Sequence, residues 1–331
     1  MKFSHSLFFL FLLFINLSIY AQSELEKGVE LYRSGDYKKA LDVLKKVTKA
    51  EASNAQAWYF LGLSQMNENK LGDAEKSLKK SISLNSGNSL FHSALALVYL
   101  MRNNSDNANT EAQTSLTLDK QNAVACYVLG AIFFRNGAFN RSYEYAKKTI
   151  GLNPSYSSGY LLKAESLISS FIQQSGTVLP PANYRSELLK EARDDLEKYV
   201  TLSPKNKDIS FYQNYLESIR FFAEYYSKTG ETNSDSAEKL APNTTTLKIL
   251  SKPRANYTDS ARSAGVMGTI TLLINFSADS TTKDILVIRS LGFGLDQEAI
   301  RAAKKIKFTP EIKDGKPISV VKLVQYTFTL Y

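Results

Sequence analysis

Small residues recur every 34 positions through the first half of the chain, and that spacing limits its architecture more than any other feature. Gly28, Gly62, Ala96 and Gly130 form one such series, and Ala40, Ala74, Ala108 and Ser142 form a second. Between them lies a third series, Gly35, Asn69, Asn103 and Gly137, of residues that interrupt helices. The pattern predicts repeated helix–turn–helix units, with small side chains where the paired helices cross closely. Each unit then buries its apolar face against the next. The repeats fall near residues 22–54, 55–88, 89–122 and 123–156. A fifth, 157–206, carries Ala164, Ala192 and Pro204 but is interrupted by about sixteen extra residues, counted against the 34-residue repeat. The stretch 171–185 contains Pro180 and Pro181, which exclude helix there. Residues 208–228 read as an amphipathic helix that caps the array, so the helical part spans 22–228.

Residues 229–246 are polar, rich in Ser, Thr and Asn, and read as a linker. In 247–331 the period changes. Residues 268–278 place Ile270, Leu272, Ile274 and Phe276 on one face at period two, and 284–290 is again β-rich. Residues 295–306 set Leu295, Ala299, Ala302, Ala303 and Ile306 at helical spacing. Asp314 and Gly315 signal a turn, and 319–330 ends the chain with Val320, Val324, Tyr326, Phe328 and Leu330 on one face. A short helix is expected at 257–264. The expected fold class is multidomain: an all-α solenoid followed by a small α+β domain, an antiparallel sheet with helices on one side.

The helical units resemble tetratricopeptide repeats, with Trp58, Leu61, Gly62 and Ala74 fitting best in the second and Leu129, Gly130 and Pro154 in the fourth. The tail resembles the TonB C-terminal domain. It carries Tyr257 and Ala261, then Gly265 and Gly268 before a long strand. Ala299, Ile300, Ala302, Phe308 and Pro310 follow in order, then an Asp-Gly-Lys-Pro-Ile turn at 314–318 and a closing strand with Tyr326 and Phe328. The family usually has Pro after the tyrosine; here Thr258 stands there, which suggests a less rigid helix start. The long Pro-rich spacer of typical TonB proteins is missing. The resemblance implies that the last strand captures an extended segment of an outer-membrane receptor by strand addition, through Val320, Lys322, Val324, Tyr326 and Phe328. It also implies, for full energy transduction, an inner-membrane motor complex as partner.

The inner face of a tetratricopeptide array is lined by recurrent positions of each first helix. In this register those are Tyr32, Tyr59, Leu63, Met66, Leu97, Leu100, Met101, Tyr127 and Phe134, with Arg33 and Arg135 nearby. Such a surface suits a peptide with hydrophobic anchors, and several of the same side chains read equally as core between repeats. The Lys and Asn pattern of a carboxylate clamp is not evident.

The N-terminus joins Lys2 to an apolar run over 7–17, with Ala21 before Gln22, and reads as a signal peptide at 1–21. The uninterrupted apolar run, 7–15, is well short of the roughly 20 residues that span a bilayer. A periplasmic chain is expected, or one anchored in the inner membrane if the leader is retained. Cys126 is the one cysteine, and His92 the one histidine beyond the leader. No phosphate-binding, zinc-protease or nucleophile-elbow motif is present, so neither an enzyme, a metal nor a cofactor is expected. Gly292-Phe293-Gly294 reads as a plain turn, and Asp194–Asp195 as part of a solvated helix face. The net charge is +9, and residues 247–331 hold thirteen Lys or Arg against seven Asp or Glu. Arg301, Lys304, Lys305 and Lys307 read as a solvated face, not a nucleic-acid site. The composite expectation is a cell-envelope protein that binds partner proteins with both parts; the alternative is a periplasmic assembly scaffold without energy transduction.

Overall fold

The computed structural model describes residues 23–173, 182–206, 208–229 and 244–330. They form two compact units that divide between Ile132 and Phe133. The leader and most of the expected linker lie outside the described residues, as does the segment 174–181.

The first unit holds α1 (residues 23–33), α2 (Tyr37–Ala50), α3 (Ala55–Asn67), α4 (Leu71–Leu84), α5 (Ser89–Met101), α6 (Ser105–Leu118) and most of α7 (Ala123–Arg135). The breaker series does what its residue types allow. Gly35, Asn69, Asn103 and Gly137 all adopt left-handed backbone, φ 85°, 57°, 58° and 73°. Glycine and asparagine enter that region at least cost. A further series of asparagines starts the helices: the Asn54 and Asn122 side chains accept from the amides of Ala57 and Ala125, each at 3.0 Å. Ala40, Ala74 and Ala108 are fully buried. A Cβ built at Gly62 would lie 2.7 Å from Cγ of Leu78, itself fully buried, so the neighbour cannot swing away. Gly62→Ala is therefore expected to lower stability by about 1–2 kcal/mol, because overpacking outweighs the gain in helix propensity. Chemical denaturation would show this as a lower midpoint with an unchanged slope.

The second unit holds the end of α7, then α8 (Phe139–Leu152), α9 (Ser157–Gln173), α10 (Ala182–Leu202), α11 (Ile209–Thr229) and the tail. Ser142 fills its small position by accepting from Ser166 Oγ at 2.7 Å, which satisfies two buried hydroxyls together. The fifth hairpin differs from the expectation. Part of its extra sequence extends the helices: α9 has 17 residues and α10 has 21, against 13 and 14 in α3 and α4. Pro180 and Pro181 fall in the segment outside the described residues. Asp195 is a correction. It is buried, not part of a solvated face, because Lys163 of α9 meets its carboxylate at 2.8 Å and Glu191 at 2.9 Å. Tyr143 donates to the same Glu191 at 3.0 Å.

The tail comprises β1 (Lys248–Ser251), α12 (Asp259–Ser263), β2 (Gly268–Phe276), β3 (Thr282–Arg289), α13 (Leu295–Ala303), β4 (Lys307–Thr309), β5 (Glu311–Lys313), β6 (Lys316–Ile318) and β7 (Val320–Phe328). The main sheet is antiparallel with order β3-β2-β7; β1 pairs with β4, and β5 with β6. Ile270, Leu272, Ile274 and Phe276 are fully buried, as the period-two reading requires. The β5–β6 hairpin turns at Asp314 and Gly315, both left-handed at φ 51° and 75°. Thr258 fixes the start of α12 by a route proline lacks. Its hydroxyl accepts from the Ala261 amide at 3.2 Å and donates to the Phe293 carbonyl at 2.7 Å. The expected looseness at that helix start is therefore offset by a side-chain cap.

Candidate functional site: the two edges of the sheet

A three-stranded sheet has two edges, and this one treats them differently. At β3, the Val287 N–H donates to the Tyr215 hydroxyl, and that hydroxyl donates to the Val287 carbonyl, both at 3.1 Å. The Ile285 N–H donates to Ser218 Oγ at 3.1 Å. Both side chains come from α11, so the helix that ends the array also closes this edge.

The same bonds fix the direction of every backbone group across the sheet. In an antiparallel ladder the N–H and C=O of one residue face the same neighbour, and successive residues alternate. Val287 faces away from β2, so its opposite, Leu272, faces β7 and bonds Val324. The backbone groups of Lys322, Val324, Tyr326 and Phe328 thus face β2, while those of Val321, Leu323, Gln325 and Thr327 point outward. Among the described residues β7 pairs with β2 alone. One outward group is occupied: the Gln325 carbonyl accepts from Lys252 Nζ at 3.0 Å, and that ammonium lies 5.2 Å from the Tyr326 ring centre.

The edge residues named from sequence sit on β7 by side-chain face. Val324, Tyr326 and Phe328 are buried, Val320 is half-buried and Lys322 exposed. The side chains of Val324, Tyr326 and Phe328 hold the strand to the core. The backbone groups available to a visitor belong to the interleaved set, of which Leu323 is 49% exposed. Period two marks a face, and the face does not say which way the amides point.

The expected groove residues are dispersed in burial. Leu63 and Leu100 are buried core, Met101 is exposed, and Tyr32, Tyr59, Met66, Leu97, Tyr127 and Phe134 are half-buried. Tyr32 stacks edge-on to Phe60 at 5.6 Å, and Tyr59 meets Phe91 at 4.9 Å. Burial pushes the hydroxyl pKa values of Tyr32 and Tyr59 up, so these phenols stay neutral.

One polar cavity accompanies the closed edge. It measures about 40 Å³ and is walled by Glu165 and Ser169 of α9, Phe211, Tyr212 and Tyr215 of α11, Val287 and Ser290 at β3, and Asp296 and Gln297 of α13. Asp296 organises the loop before its helix, accepting from Ser290 Oγ at 2.5 Å and from the Leu291 amide at 3.2 Å. Burial raises its pKa. Glu165 has no such donors; desolvation, and then the Asp296 charge, push its carboxyl from 4.5 up to about 8. A carboxyl that holds its proton more tightly when folded contributes stability in full below its unfolded pKa, and that contribution is lost as pH rises through the folded value. Unfolding free energy should therefore fall by about 2–4 kcal/mol between pH 5 and pH 8.5. Glu165→Gln should flatten that slope in a denaturation series. Asp195, pushed up to about 6 mainly by burial, slopes the same way over the lower part of the range.

His92 is buried, with Nδ1 2.7 Å from Glu111 Oε2 and Nε2 3.0 Å from the Ser86 carbonyl, so it links structure and faces no open site. Among the described residues no group of three or more His, Cys, Asp or Glu is arranged for a metal ion, and no helix is long and apolar enough to cross a membrane.

Residues 253–330 match the family described as Gram-negative bacterial TonB protein C-terminal, and residues 25–89 match the tetratricopeptide repeat. No curated protein matches the chain. Among solved structures, the chain is similar to a thermophilic TPR protein of Thermus thermophilus. Identity there is 18%, coverage 61% of this chain and 99% of that one, and TM-score 0.48. It is also similar to PilF of Pseudomonas aeruginosa, at 17% identity, 64% and 90% coverage and TM-score 0.46. MamA follows at 23% identity, 56% and 92% coverage and TM-score 0.39.

Proposed function

For this tetratricopeptide-repeat protein with a TonB-type C-terminal domain, we propose a role in protein–protein contact at the cell envelope. The tail domain adds an extended segment of an outer-membrane transport partner to β7, and the helical array holds a second protein. The observation that carries this reading is the asymmetry of the sheet: α11 caps the β3 edge, while β7 leaves alternate amides and carbonyls facing outward. An open edge needs little side-chain specificity, since the backbone supplies the bonds. The surplus of Lys and Arg in the tail, thirteen against seven acids, favours an acidic approach partner. The leader at 1–21 directs the chain to the periplasm, with transport across the envelope as the process served.

A second reading has its own support. The β3 edge is bonded to Tyr215 and Ser218 of the array's last helix, so the tail is seated on the array and not suspended beyond a long spacer. That arrangement suits a periplasmic scaffold without energy transduction, in which neither the inner membrane nor a motor complex takes part. N-terminal sequencing of the envelope-fractionated protein separates the two: a chain beginning at Gln22 supports the scaffold, and a retained leader supports coupling to a motor. Photocrosslinking from position 325 tests what both share. An outer-membrane protein identified in the adduct is the expected result, and adducts confined to other positions on the domain would contradict strand addition at β7.

A further inference from the structure

The open edge is not bare, and the group that touches it is a cation. β1 ends at Ser251, and the next residue, Lys252, donates from its ammonium to the outward Gln325 carbonyl at 3.0 Å. The same ammonium stands 5.2 Å from the centre of the Tyr326 ring, within cation–π range. The Tyr326 hydroxyl is buried without a hydrogen-bond partner among the described residues, so the ring alone meets the charge. Lys252 is exposed, and among the described residues its ammonium meets no carboxylate. Lys322, also exposed, lies on the same face of β7 as Tyr326.

A strand seated on β7 brings an N–H to the Gln325 oxygen whichever way it runs. Lys252 competes for the outward side of that oxygen, so addition displaces the ammonium and costs it an acceptor. Residues opposite each other across a ladder share a face. The visitor's residue facing Tyr326 therefore projects on the side where the ammonium already lies. A carboxylate there gives the displaced ammonium a charged acceptor in place of the neutral one. An apolar side chain there gives it none. We infer that Lys252 is a selectivity residue of this edge: it withholds the Gln325 carbonyl from neutral segments and yields it to segments that place Asp or Glu beside Tyr326. The inference rests on strand addition at β7 and names the chemistry of the segment added.

The test selects short randomised peptides on the full chain and on Lys252→Met, which keeps a linear stem and removes the charge. Leu323→Pro, which removes an outward amide of β7, identifies the binders that use this edge. Edge binders selected on the parent should carry Asp or Glu at one fixed position, and those selected on Lys252→Met should not. A selected acidic peptide and its copy with the matching amide, Asn or Gln, at that position are then titrated by fluorescence anisotropy. Lys252→Met should weaken the acidic peptide by roughly fivefold at low salt, the upper range for an exposed ion pair. It should tighten the amide copy by about twofold, because a competitor for one exposed hydrogen bond is gone. Added salt should shrink the first effect. An equal change or no change in both peptides, or acid enrichment that persists in Lys252→Met, would overturn the role of Lys252 and leave strand addition standing. The lack of any binder sensitive to Leu323→Pro would overturn strand addition at β7 and this inference with it.

Discussion

Leu323→Pro is expected to abolish capture of an extended partner segment while leaving the tail domain folded. The Leu323 amide points away from β2, so losing it removes no bond of the sheet. A proline on the open side of an edge strand is tolerated for that reason. A visiting strand would lose a donor at the centre of its ladder and meet the ring where its own carbonyl must approach. Affinity for the segment should fall by at least about a hundredfold, roughly 3 kcal/mol, with the melting temperature within a few degrees. Lys322→Pro is the matched control. Its amide faces β2, so the same ring one residue earlier should unfold the sheet. Equal effects of the two substitutions on the melt would show that the alternation is misassigned.

Tyr215→Phe carries the second large effect, on stability. Its hydroxyl serves the N–H and the C=O of Val287 at once, in a buried setting. Phenylalanine fills the same space and leaves both backbone groups without partners. Each such loss costs about 1–3 kcal/mol, so the unfolding free energy should drop by about 2–4 kcal/mol. Urea denaturation measures this directly. Ser218→Ala, which frees only the Ile285 amide, should cost less. A Tyr215→Phe variant as stable as the parent would mean that water replaces the hydroxyl and that α11 does not close the edge.

The two parts of the chain were legible to different depths. The 34-residue series place the helices and turns because each position has one physical demand: closeness at Gly62 and Ala74, left-handed backbone at Asn69 and Asn103. The long strands are equally plain, since Ile270, Leu272, Ile274 and Phe276 recur at period two, although β2 is covered on both faces and Thr271, Leu273 and Asn275 are buried as well. The strands β1, β4, β5 and β6 are three or four residues long, too short for any period to register. Asp195 was misread because its partner, Lys163, lies a whole helix away, beyond any spacing rule. The closed edge was illegible for the same reason. Tyr215 and Val287 are 72 residues apart, and α11 looks like an ordinary capping helix until the sheet is laid beside it. The sequence pattern names Val320, Lys322, Val324, Tyr326 and Phe328 by side-chain face, whereas the outward backbone groups of β7 belong to Val321, Leu323, Gln325 and Thr327. Side-chain pattern tells which residues are buried; only the ladder tells which amides remain.

Residue-resolved hydrogen exchange of the free protein measures that difference most directly. The account predicts protected amides at Ile285 and Val287, where α11 supplies the acceptors, and alternation along β7: slow exchange at Lys322, Val324 and Tyr326, fast exchange at Val321, Leu323, Gln325 and Thr327. Uniform protection along β7, or rapid exchange at Ile285 and Val287, would contradict it.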